Sequence, residues 1–164
     1  MLLSELLHPG VVTTDLEAQD KLEAIHELVD LLVSAHEIPM ALRDHVVDCV
    51  VQRECSMSTG MEHGIALPHG ASERVRDIIG ALGIARRGIP FESLDGQPAK
   101  LVILLVLPKR NFQGHVRTLA GIAHLMNNAD FRAKLLATVD PEAVLDLIES
   151  EEDREEFDQF GEQL

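Results

Sequence analysis

The stretch LVILLVL, residues 101–107, decides the fold. Apolar residues at every position leave no polar face. A strand here is therefore covered on both sides, as in the middle of an α/β sheet. Pro108 ends it, because proline cannot donate to a ladder. Upstream, LDGQP at 94–98 and Gly88-Ile89-Pro90 carry turn chemistry. IIGALGI at 78–84 reads as a second strand with close backbone neighbours, and Val11-Val12-Thr13 and Ile65-Ala66-Leu67 read as shorter ones.

Helical patterns alternate with these strands. Asp20-Lys21-Leu22-Glu23 reads as a capping box. The helix it opens carries Leu22, Ile25, Leu28, Val29 and Leu32 on one stripe, with His26 and His36 at its surface. Pro39 suits the first turn of a second helix. That helix has the stripe Leu42, Val46, Cys49 and Val50 and runs out near Arg53-Glu54. A third helix spans about Gln113 to Met126, Asn128 caps a short fourth, and Asp140-Pro141-Glu142 starts a last one. The pattern predicts a single α/β domain, with helices on both faces of a largely buried sheet.

Bulk composition narrows the function. The chain has 164 residues, the size of one domain. Hydrophobic residues make up 46%, but there are five Phe and no Trp or Tyr, so Leu, Val, Ile and Ala must build the core. A formal net charge of −14 argues against nucleic acid and anionic membrane surfaces as partners. No apolar run approaches the ~18–20 residues of a membrane span. No signal peptide is visible, and a cytoplasmic protein is expected. Cys49 and Cys55 match neither a zinc ribbon nor a C-x-x-C motif, and Cys49 reads as a core thiol. From Glu149 to Leu164 there are eight acids and one Arg, half of the net charge. The expected organisation is a domain over 1–150 and an acidic tail over 151–164. That tail reads as solvated or frayed, or, in a sharper reading, as docking a partner.

GIALPHG, residues 64–70, places His69 at a Pro-His-Gly turn after a short strand. Ligand sites in open α/β sheets lie at strand ends. His115 opens the third helix in phase with Leu119, Ile122 and Met126, near a helix N-terminus that favours an anion, while His124 should face water. Arg53 ends the second helix and offers planar, multi-donor recognition of phosphate. The loop Ser58-Thr59-Gly60 adds hydroxyls and flexible backbone N–H groups. No nucleotide P-loop pattern occurs. The residues alone leave three readings: an anion or phosphoryl site, a zinc site using His63, His69, His115 and Glu62, and an interaction module without chemistry.

RECSMSTGMEHGIALPHG, residues 53–70, resembles the signature of the enzyme IIA domains of the bacterial phosphoenolpyruvate:sugar phosphotransferase system, mannitol/fructose type, which includes the nitrogen-regulatory enzyme IIA. LDGQPAKLVILLVLP and GHVRTLAGIAHLM resemble that family's later strand and the helix opened by a second histidine. The resemblance spans about residues 10–150. It implies a mixed five-stranded sheet flanked by helices. It implies that His69 accepts a phosphoryl group from the phosphocarrier HPr or a paralogue, and that His115 and Arg53 stabilise it. No cofactor or metal is implied. The recipient is a regulatory target or a transporter IIB subunit, with the regulatory branch favoured because the domain stands alone. Glu62 and His63 depart from the family pattern, and Glu62 would repel an anion.

Overall fold

The computed structural model describes residues 1–161. Its centre is β5 (Ala99–Pro108), in which every residue except Lys100 is buried, so both faces are covered. β5 pairs antiparallel with β4 (Ile79–Ile89), in register from Ile79↔Val106 to Ile84↔Leu101, with a shift before Ile89↔Ala99. On its other side β5 pairs parallel with two short strands in succession, β2 (Ile65–Ala66) and β3 (His69–Ser72). A parallel pair of residues, β1 (Val12–Thr13), lies beyond β4. The result is a mixed five-stranded open sheet in a single α/β domain.

The helices are α1 (Leu3–Leu6), α2 (Lys21–Ser34), α3 (Arg43–Ser56), α4 (Phe112–Leu125), α5 (Ala129–Leu136) and α6 (Pro141–Gly161). α2 starts where the sequence places it. Asp20 accepts from the Glu23 N–H at 2.8 Å, and the Glu23 carboxylate reaches back to the Gln19 N–H at 2.8 Å. Ile25, Leu28, Val29 and Leu32 are buried, whereas Leu22 lies on the exposed rim. α3 packs on β3 at very short range. A Cβ on Gly70 would stand 2.8 Å from backbone atoms of Cys49 and Val50, so only glycine permits this contact.

Several boundaries differ from the sequence reading. Pro39 is extended and caps a single 3-10 turn, Met40–Leu42, so α3 starts a turn later, at Arg43. Cys49 is half-buried rather than a core thiol. β4 continues to Ile89 because Gly88, at φ +80°, lets the strand bend past Pro98 instead of ending it. α1 was not anticipated; its four residues are too few for a helical period. The segment expected as a solvated or frayed tail is, over 151–161, helical as the second half of α6, with most of its side chains exposed. Two contacts hold its near end. Glu151 accepts from the Asn128 amide at 3.1 Å, and Glu152 accepts from the N–H groups of Leu3 and Ser4 at 2.8 and 3.2 Å. Residues 162–164 of that segment lie outside the described residues.

Candidate functional site

The chain approaches His69 through β2, Leu67 and Pro68. The sequence suggested a strand ending at a Pro-His-Gly turn. In the structure Pro68 instead joins two strands along the same side of β5, and His69 opens the second of them, opposite Leu105. The imidazole is half-buried. Its Nδ1 lies 2.8 Å from the Leu67 carbonyl oxygen, which can only accept, so Nδ1 carries the proton and Nε2 keeps its lone pair. Burial pushes the pKa of His69 down, the Leu67 carbonyl opposes that, and the nearby Arg53 charge lowers it further, against a raising effect of Glu54. The net effect favours the neutral ring, and among the described residues Nε2 has no hydrogen-bond partner.

Arg53 lies in the last turn of α3. Its Nη1 donates to the Met57 carbonyl at 2.8 Å, which anchors one edge of the guanidinium, and among the described residues the rest of the fork has no hydrogen-bond partner. Its neighbour Glu54 is buried, at 1% exposure. That carboxylate accepts from the Thr59 N–H at 3.0 Å and from the Thr59 hydroxyl, and faces Lys21 Nζ at 3.7 Å. Lys21 also pairs with Glu92 at 3.0 Å. Thr59 in turn accepts the Leu67 N–H at 3.2 Å, one residue before Pro68. A continuous set of bonds thus runs from Glu54 through Thr59 and Leu67 to His69.

The loop residues Ser58, Thr59 and Gly60 are turned inward. The Ser58 hydroxyl donates to the Phe91 carbonyl and accepts from the Gly60 N–H at 3.1 Å. Gly60 lies so close to Phe91 and Ser93 that a Cβ would stand 2.7 Å from the Phe91 oxygen. Both hydroxyls therefore fix the loop rather than face an open site.

His115 is half-buried on the flank of α4, and His124 is exposed. His115 Nε2 lies 3.1 Å from the Arg110 carbonyl, so Nε2 carries the proton and Nδ1 is free. Asn111, in the left-handed conformation at φ 59°, caps α4, and Gly114 makes room for its side chain. The structure joins Glu54, the 58–60 loop and His69 through the bonds above, and Arg53 acts on His69 by its charge. His115 follows the C-terminal end of β5, on α4, and makes no hydrogen bond to His69, Arg53 or the 58–60 loop among the described residues.

The zinc reading finds little support in the geometry. Glu62 and His63 are exposed and face each other at 3.8 Å, at a surface turn. Among the described residues no group of three metal-binding side chains gathers. His63, at φ 65°, has its N–H on Asp95, which places it at a surface turn. Among the described residues no helix is long and apolar enough to cross a membrane.

Two participants escaped the sequence reading. Glu54, at the end of α3, lies four residues after the buried Val50, which is the available signal. His45 also lies on α3. It holds the buried Ser72 hydroxyl at 2.6 Å and so ties α3 to the end of β3.

The fold is that of solved enzyme IIA proteins. It superposes on the nitrogen regulatory protein IIA-Ntr from Neisseria meningitidis with a TM-score of 0.81 and 26% identity, covering 89% of this chain and 98% of that one. For mannitol IIA from Escherichia coli the TM-score is 0.73 at 22% identity, covering 87% and 98%, a likeness of fold. Residues 5–151 match the family described as the phosphoenolpyruvate-dependent sugar phosphotransferase system, EIIA 2, and the chain belongs to that family. A nitrogen regulatory protein of Bradyrhizobium diazoefficiens is 32% identical over 90% of this chain and 95% of its own length. The fructose-specific EIIABC component of Bacillus subtilis is 30% identical over 90% of this chain, which spans 23% of that relative.

Proposed function

We propose that the chain is a phosphoryl carrier in which His69 Nε2 accepts the phosphoryl group of an HPr-type phosphocarrier. The observation that carries this reading is the half-buried His69 ring with Nδ1 fixed on the Leu67 carbonyl and Nε2 without a partner among the described residues. The Nε2 lone pair forms a bond to phosphorus as the bond between phosphorus and the donor breaks, and the donor leaves with that electron pair. The proton on Nδ1 stays where it is. As phosphorylation makes the ring more cationic, the Leu67 carbonyl stabilises it. Arg53 offers its unengaged N–H groups to the peripheral oxygens, and His115 offers Nδ1, when protonated, to the same charge. Ser58, Thr59 and Gly60 keep the loop rigid beneath these groups.

The nitrogen-type regulatory branch is the favoured output, on the strength of the Bradyrhizobium relative matched over nearly its whole length. In that role a phosphoryl group changes the charge of a surface and with it the affinity for a target protein. The fructose relative favours a second reading, delivery to a IIB subunit.

The test is intact-mass analysis after incubation with phosphoenolpyruvate, enzyme I and HPr-type donors. A gain of one acid-labile phosphoryl group, absent in His69→Ala, is expected, with slower transfer in His115→Ala and Arg53→Ala. No gain with any donor would overturn the carrier reading. Loss of the group on adding a fructose-type IIB subunit would decide for the second output.

A further inference from the structure

A second surface, beside the candidate site, stands out by charge. The chain has 28 acids among 164 residues, yet no Asp or Glu falls between Asp95 and Asp130. Part of that stretch is the buried β5. The remainder, running into α4, lies at the surface beside the turn that follows β3, and the Lys109 N–H bonds the Ser72 carbonyl at 3.2 Å to join the two. Here Arg76, Lys109 and Arg110 line a cleft of about 600 Å³ together with Val75, Pro108 and Glu73. Arg74 flanks it, and Arg117 lies on the exposed side of α4.

These cations are largely left without carboxylate partners. Arg43 and Arg154 each bind two carboxylates. Among the described residues Arg74, Arg76, Arg110 and Arg117 have no ion pair, and Lys109 reaches only Glu73, at 4.0 Å. Glu73 and Asp77 are the acids of the β3–β4 turn, against these five cations. Within the same surface Phe112 and Val116, one turn apart on α4, are 46% and 42% exposed. Apolar anchors surrounded by arginines have the composition of a protein interface rather than of a solvated face.

We propose that Arg74, Arg76, Lys109, Arg110 and Arg117, around Phe112 and Val116, dock a partner protein through an acidic patch with an apolar centre. Charge complementarity identifies the partner's chemistry. A polyanionic nucleic acid would also meet the strongly negative remainder of the molecule, and a small anion would leave Phe112 and Val116 uncovered. A protein surface that is acidic only locally meets both requirements. The docking surface borders the candidate site, because the Arg110 carbonyl holds His115.

The experiment titrates a synthetic peptide rich in Glu and Leu, and its Lys-for-Glu counterpart, into isotope-labelled protein and follows backbone amide shifts. Saturable shifts confined to residues 73–77 and 108–121 are expected with the acidic peptide only, with affinity falling as salt rises. The triple charge reversal Arg76→Glu, Arg110→Glu, Arg117→Glu should weaken binding at least about tenfold, and Phe112→Ser with Val116→Ser should weaken it as well. The altered side chains are exposed, and thermal melts would verify folding. Absent or scattered shifts, equal binding of the lysine peptide, or no effect of charge reversal would overturn the proposal. So would tighter binding of an RNA oligonucleotide at the same amides, or a dimer in sedimentation that dissolves on Arg110→Glu, each of which assigns the face to a different occupant.

Discussion

At Glu54 a buried carboxylate answers two donors of Thr59 and the Lys21 ammonium. Glu54→Ala removes the acceptor and leaves the Thr59 N–H and hydroxyl buried without partners. A loss of about 3 kcal/mol is expected in urea unfolding, together with slower phosphoryl acceptance as Leu67 and His69 lose their support. Glu54→Gln retains one acceptor and should lose less. His69 gives a pH prediction of definite sign. Its folded pKa lies below the ordinary value of 6.5, chiefly through burial. As pH falls through the unfolded value the unfolded chain takes up a proton that the folded one resists. This contribution to stability is complete above that pH and is lost progressively below it. As the proposed nucleophile, His69 would also stay neutral further into acid, so phosphoryl acceptance should decline at a pH below the midpoint of a free histidine. Titrating the His69 ring protons by NMR checks both, and Arg53→Gln should move that midpoint upward. The sequence alone could place His69 at a break in a strand, and family resemblance supplied its role. Spacing from Val50 points at Glu54 but cannot establish its burial, because burial of a charged group is decided by the elements folded around it.

Between elements, the close approach of α3 to β3 sets the position of everything at the end of α3. Gly70→Ala would drive a methyl group into the Cys49–Val50 backbone. The helix must shift, at a cost of about 1–3 kcal/mol, and Arg53 moves with it. Reduced phosphoryl transfer alongside a lowered melting temperature is the expected pair of results. The reach of β5 was legible because a run of apolar residues covered on both faces has one structural meaning. α2 was legible because Asp20 and the buried stripe agree. The split of one edge into β2 and β3 was not, since both pieces are short and depend on β5 for their ladder bonds. The start of α3 was misplaced for a related reason. Proline is compatible with a helix start and equally with the cap of an isolated turn, and the pairing of Arg43 with Asp30 and Asp44 lies at the later position.

Over the whole molecule, the acidic C-terminal segment belongs to the fold further than its composition suggested. A chain ending at Ser150 loses the Glu152 contacts to the N–H groups of Leu3 and Ser4 and the Glu151 contact to Asn128. We expect it to fold, to unfold about 1–2 kcal/mol more easily, and to exchange its Leu3–Leu6 amides faster in hydrogen-exchange measurements. High acid content hid this, because charge runs look alike whether they cap a helix or only meet water. A last consequence follows from the loop beneath His69. Met61 N–H bonds the Ile65 carbonyl, Leu67 N–H bonds Thr59, and Gly60 bridges Ala66, so the loop lies along the outer rim of β2 like a selvedge. Without it that rim is a bare template for intermolecular strand addition. Glu54→Ala should therefore turn cloudy on mild heating by light scattering while His69→Ala stays clear. Solubility and chemistry would then share one anchor, and a lineage that abandoned phosphoryl transfer would still be obliged to keep Glu54.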